Sequence, residues 1–184
     1  MKIKRIYIAF FLITAFFSCA EQDIDKTQEA VLSDQEIYFE VSHVNNAWGV
    51  GQKGFLIDKA GAVRTYSNPA VWNVAKDYEK GALTPNQIKE NITKTVVSDV
   101  TVDAAQFKTL TGKIPALSTS AYTKRIQIGA DMGQTNFYAY RYDAKAEGYV
   151  PVLLSETGDW QSQNTDKSAV EISEWLKGIQ SKIK

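Results

Sequence analysis

Residues 36–67 read EIYFEVSHVNNAWGVGQKGFLIDKAGAVRTYS, and the alternation with which they begin decides the fold class. Ile37, Phe39, Val41 and His43 fall on one side of an extended chain, with Tyr38, Glu40, Ser42 and Val44 on the other, which predicts a strand with one clearly apolar face. Further along, Asp58-Lys59-Ala60-Gly61 separates two β-prone runs. A glycine there can take the left-handed conformation that a type I turn followed by a bulge requires, so a hairpin is predicted from Phe55 to Tyr66. Between these segments Gly49-Val50-Gly51-Gln52-Lys53-Gly54 spells G-x-G-x-x-G. The dinucleotide-binding form of that motif opens a helix whose N-terminus receives the pyrophosphate. Here the next segment, GFLID, is another strand, so the glycines read as a loop between strands.

Toward the C-terminus, KRIQIGA (124–130), TNFYAYRY (135–142) and GYVPVLLS (148–155) supply three more strand candidates, the last placed at a sheet edge by Pro151. Helices are marked by their caps. Leu83-Thr84-Pro85-Asn86-Gln87-Ile88 has a Thr cap, Pro at the first helical position, Gln at the third and a staple pair in Leu83 and Ile88. Val102-Asp103-Ala104-Ala105-Gln106-Phe107 repeats the arrangement, with Gly112 and Pro115 to stop the helix. A third helix is predicted from Ser168, with Glu171 three residues on and a buried stripe of Ile172, Trp175, Leu176 and Ile179. Strands and helices in this order lack regular βαβ alternation. The expected fold is α+β, with an antiparallel sheet of about five to six strands and three helices packed mainly on one face, all within one domain over 36–184.

The chain has 184 residues, 44% apolar and 23% charged, with zero formal net charge, which fits one globular domain and not a disordered or nucleic-acid-binding chain. Lys2, Lys4 and Arg5 all lie in the first 19 residues, which hold no acid, so the remainder carries 18 basic against 21 acidic residues. A domain of about 150 residues buries roughly two thirds of the surface its unfolded chain exposes, so the presence of one cysteine is no obstacle to stability.

That cysteine defines the N-terminus. MKIKRIYIAFFLITAFFSC, residues 1–19, has a basic start, an apolar run from Ile6 to Phe17, then Ser18 and Cys19. As a helix the run would be about 18 Å long, too short for the roughly 30 Å hydrocarbon core of a bilayer. Cys19 after the apolar run and a small residue resembles the lipobox of bacterial lipoproteins, and Phe16-Phe17 before Ser18 resembles the looser lipoboxes of Bacteroidota. The resemblance implies a signal peptide over 1–18, acylation of Cys19 as the first mature residue and, with Ala20 where Asp would signal inner-membrane retention, an outer-membrane destination in the cell envelope. Acyl chains contribute about 0.8 kcal/mol per buried methylene, so two or three hold firmly. The acidic stretch AEQDIDKTQEAVLSDQ then reads as a tether, which with Cys19 spans 19–35 and reaches roughly 50 Å when extended. In general character the mature region also resembles the small lipoproteins of Bacteroidota, which implies no activity.

His43 is the only histidine, so any triad or His-based metal site must use it; its alternation with Ile37, Phe39 and Val41 reads instead as a core or strand-end residue. No metal-ligand spacing and no cofactor motif is recognisable. Tyr138, Tyr140 and Tyr142 share one face of a strand, as a packing row or an exposed platform. Tryptophans among polar residues are the most suggestive pattern: Trp48 in a loop after Asn45, Trp72 in the long connection 67–82, and Trp160 beside Asp159. A ring that stacks on a sugar face, with Asn and Asp to bond its hydroxyls, is what a carbohydrate site needs; the alternative is that each ring folds inward to anchor its loop. The expectation is a lipid-anchored, non-enzymatic binding module for a glycan or peptide, with Trp48, Trp72 and Trp160 as contacts and Asn45 and Asp159 as polar partners. A subunit of an envelope protein assembly and a hydrolase using His43 or paired acids are the alternatives.

Overall fold

Residues 35–47, 49, 51–75 and 81–183 are described in the computed structural model. The expected signal peptide, Cys19, the expected tether up to residue 34 and Trp48 lie outside them. The first half runs β1 (Ile37–Asn45), β2 (Gly51–Asp58), β3 (Val63–Ser67), α1 (Pro85–Thr93), β4 (Val96–Val97), α2 (Ala104–Thr111) and a 3₁₀ turn (Ile114–Ala116). The second runs β5 (Ile126–Gln127), β6 (Gln134–Asp143), β7 (Gly148–Gly158), β8 (Trp160–Gln163) and α3 (Lys167–Gln180). The strands form one sheet in the order β4-β3-β2-β1-β6-β7-β8-β5, each pairing antiparallel. The α+β class is therefore as expected, but the sheet has eight strands and not five to six. The additions are β4, only two residues long, and β8, which opens at Trp160 in a stretch read as loop.

Two bulges set which side chains face which layer. In β1 the register steps from Ile37↔Asp58 to Phe39↔Ile57, so Tyr38 is the extra residue. Ile37 consequently joins the opposite face from Phe39 and Val41, contrary to simple alternation. In β7 the register steps from Phe137↔Ser155 to Tyr138↔Leu153, leaving Leu154 extra. Strict alternation would put Leu154 and Ser155 on opposite faces; the bulge lets both face α3, where Ser155 Oγ meets Ser173 Oγ at 2.6 Å, and turns Glu156 to the other side.

The larger core lies on the face formed by Phe39, Val41, Phe55, Ile57, Phe137, Ala139, Val152 and Leu154. Against it pack Leu110 of α2 and the stripe Ala169, Ile172, Leu176 and Ile179 of α3. Burying each large aliphatic side chain of this stripe contributes about 1.5–3 kcal/mol. Gly178 lies on the solvent side of α3 with open space around it. Gly178→Ala is expected to raise stability by about 0.5–1 kcal/mol in a chemical denaturation titration, since alanine restricts the unfolded chain and suits a helix interior.

A second core on the other face gathers Ile37, Leu56, Tyr138, Tyr140 and Tyr149 under Ile88 of α1 and Leu83, which precedes the helix cap. The helices thus cover both faces, two on one and one on the other. Caps explain where they begin. Thr84 Oγ1 accepts the Gln87 N–H at 3.3 Å while Gln87 Oε1 accepts the Thr84 N–H at 2.9 Å. Asp103 caps α2 through the Gln106 N–H at 2.8 Å. The cap of α3 is Asp166 and not Ser168: its carboxylate takes the N–H groups of Ser168 and Ala169, a stronger acceptor for two orphan donors. At the predicted hairpin, Gly61 has φ +76° and Asp58 Oδ1 accepts the N–H groups of Ala60 and Ala62. Pro151, in contrast, lies in an interior strand. It is tolerated because the ladder of β8 on β7 pairs only Ser155 and Glu156, so β7 is locally an edge where the proline stands.

Candidate functional site

The face that carries α1 is covered only in part. Over β6, β7 and β8 it opens into a cleft of about 1210 Å³. Asn136 and Tyr138 of β6, Leu153 and Glu156 of β7 and Ser162 of β8 line it, together with Asn45, Tyr122, Arg125, Asp131 and Asp159.

Glu156 is the centre of its polar chemistry. The β7 bulge places it on this face with only 6% of its surface exposed. Arg125 binds it two-pronged, Nε to Oε1 at 2.6 Å and Nη2 to Oε2 at 3.2 Å; Ser162 Oγ donates to Oε1 at 2.8 Å and Gln134 Nε2 to Oε2 at 3.2 Å. The guanidinium carbon lies 4.3 Å from the centroid of the Trp160 ring. Arg125, half exposed, is thereby held flat between an indole and a carboxylate, which fixes its plane before any ligand arrives. Gln134 completes the frame by exchanging two 3.0 Å hydrogen bonds with the backbone of Trp160.

The polar residues expected in the site do line this cleft. Asn45 Nδ2 donates to the Asp131 carbonyl at 3.2 Å and its Oδ1 accepts the Ala47 N–H at 2.9 Å. Asp159 Oδ1 accepts the Met132 N–H at 2.9 Å, and its backbone bonds Gly133 and Ile128. Both residues tie down the loops that form the rim. Trp160 lies behind Arg125. Trp72 is elsewhere, stacked on Tyr66 with centroids 3.8 Å apart and planes 24° apart, its Nε1 donating to Glu40 at 3.1 Å. Its ring anchors the connection after β3.

Glu40, 5% exposed, also accepts the Tyr66 hydroxyl at 2.8 Å and the Tyr140 hydroxyl. Burial raises its pKa above the ordinary carboxylate range, against the opposing pull of the three donors. Burial and the adjacent Glu40 push both tyrosine hydroxyls well above theirs. Tyr138 and Tyr140 are accordingly a packing row and not an exposed platform.

His43 faces the α3 side, away from this cleft. Its Nδ1 lies 2.9 Å from Thr135 Oγ1, and burial, then the charge of Lys53, lower its pKa. Among the described residues no carboxylate pairs with the ring, so no acid orients it as a catalytic base. Nor do the described residues contain a group of three His, Cys, Asp or Glu able to hold a metal ion. Arg125, Gln134 and Glu156 escape a sequence reading because their partnership spans 22 to 31 positions and depends on the β7 bulge. No protein-family model, no curated protein and no solved structure matches the chain.

Proposed function

We propose that the protein is a lipid-anchored module of the cell envelope, held at the outer membrane through Cys19, which binds a glycan or peptide in the cleft over β6 to β8 without transforming it. The observation that carries this reading is the fixed polar frame at the cleft: Arg125 locked between Trp160 and Glu156, in one lining with Tyr122 and Asn136. Planar guanidinium, phenol and amide groups held in place bind hydroxyl-rich or peptide ligands at low ordering cost. No helix among the described residues is long and apolar enough to cross a membrane.

The test is the melting temperature of the detergent-solubilised protein against a panel of envelope glycans and peptides. A ligand at 100 times its dissociation constant adds about 2.7 kcal/mol and hence several degrees. Asn136→Ala is expected to remove the shift while leaving the ligand-free melting temperature nearly unchanged. If no member of the panel moves the melting temperature, the reading fails. One observation favours a protein partner instead: Ile126, Ile128 and Met132, 47–56% exposed, lie within one short segment in and after β5. Crosslinking in intact envelopes that captures one defined partner through this segment would support that second reading.

A further inference from the structure

A second cleft, of about 650 Å³, lies on the opposite face where the end of α3 overhangs the sheet. The strand register sets four side chains in a row, the first three of which line the cleft: Ser67 of β3 opposite Lys53 of β2, Lys53 opposite His43 of β1, and His43 opposite Thr135 of β6. Each member can donate a hydrogen bond and none is an acid. Lys53 directly opposite an imidazole is an unfavourable neighbour whenever that ring is charged, and such a pairing is relieved by a counter-charge. No described residue supplies one. Among the described residues Lys53 has no ion-pair partner, and no acid lines the cleft. Lys94 approaches from the far wall with Glu90 bonded to it at 2.8 Å outside the cleft. The rest of the lining sets Val96 and Ile183, with Val41 and Phe55 buried beneath, beside Gly54, Thr65, Tyr66 and Gln180.

We propose that this cleft binds a phosphate ester: the phosphate lies on Lys53 and His43, and its organic part against Val96 and Ile183. Because Thr135 occupies His43 Nδ1, Nε2 is the ring nitrogen that meets the ligand. The Ser67 hydroxyl flanks the phosphate from the other side of Lys53. The lowered pKa of His43, caused by burial and Lys53, fits a site whose positive charge awaits an anion. A bound phosphate raises it again. This site is separate from the cleft over β6 to β8 and does not rest on the function proposed for it.

A single histidine makes the test specific, since its ring resonances in an NMR spectrum of the full chain have one source. In neutral-detergent micelles, inorganic phosphate is titrated against chloride at equal ionic strength. A saturable shift of the His43 signals with a raised pKa, weakened about tenfold in Lys53→Gln, is the expected result. Micelles doped with phosphatidylglycerol distinguish the source: a Lys53-dependent shift there alone assigns the phosphate to a lipid headgroup, and a shift with free phosphate assigns it to a soluble ester. The proposal is overturned if neither probe moves the resonances, if chloride reproduces the effect, or if Lys53→Gln leaves it unchanged. Lys53 is exposed, so the variant is expected to fold.

Discussion

Glu40→Ala is expected to lower unfolding free energy by about 4 kcal/mol, because it strands the hydroxyls of Tyr66 and Tyr140 and the indole N–H of Trp72 around an empty site. Glu40→Gln separates the hydrogen bonds from the charge. Its amide oxygen can accept from Tyr66 and Trp72, and the Tyr140 hydroxyl can rotate to accept from its NH₂. The pH dependence has a definite sign. Glu40 has a higher pKa folded than unfolded, so the native state binds its proton more tightly. This group's contribution is therefore greatest below the unfolded value near 4.5 and declines as pH rises toward the folded value, then stays constant. Glu40→Gln is expected to gain on the wild type as pH rises through that window and to match it most closely in acid. Urea titrations of the three proteins across that range check this. A wild type that gains on Glu40→Gln with rising pH would mean that Glu40 is stabilised as an anion.

Gly54→Ala is expected to be as damaging, although it adds one methyl group. A Cβ at Gly54 would stand 2.0 Å from the Val41 carbonyl oxygen and 2.8 Å from the Tyr66 hydroxyl. Gly54 pairs with Tyr66 across β2 and β3, so the phenol reaches Glu40 by lying across the glycine. The added methyl must push β1 from β2 or lift Tyr66 off the carboxylate. Overpacking costs about 1–3 kcal/mol and the lost buried bond a further 1–3 kcal/mol, for a total of about 4 kcal/mol. For a domain of this size that is a drop of roughly 10 °C in melting temperature. Scanning calorimetry measures it directly, and a change of only a degree would mean that β1 and β2 separate easily. Combined with Glu40→Ala, the cost should be clearly less than the sum, because both variants break the same Tyr66 contact.

What could be read from the sequence was what depends on near neighbours. The Thr84 and Asp103 caps, the Asp58–Gly61 turn and the α3 stripe each lie within a dozen residues, where spacing alone decides geometry. The same locality explains the error at α3, where Asp166 and Ser168 are both credible caps two positions apart. The bulges at Tyr38 and Leu154 were hidden because an extra residue is defined only against a partner strand. With them went the face of Ile37 and the position of Glu156. β4, two exposed valines, carries too little pattern to show. In the candidate site, Asn45 and Asp159 were named and do line one cleft, but its central ion pair, Arg125 with Glu156, was not. Trp72 stands out in the sequence by its place in the long connection 67–82; its indole N–H bonds a carboxylate 32 positions upstream.

The strand order also governs how the chain acquires this structure. β1 to β3 and β6 to β8 are two local meanders, each able to form from contacts close in sequence, and they join along one seam between β1 and β6. Across that seam Glu40 meets Tyr140, 100 positions away. At about 5–20 residues per second, synthesis of that interval takes roughly 5–20 s. For all of it the first meander has an open edge at β1, with Phe39 and Val41 lacking the strand that will complete their layer. Closing a loop of this length makes the seam slower to form than either meander, so β1 carries an open apolar edge until β6 reaches it, whereas the second meander forms beside a partner strand that precedes it.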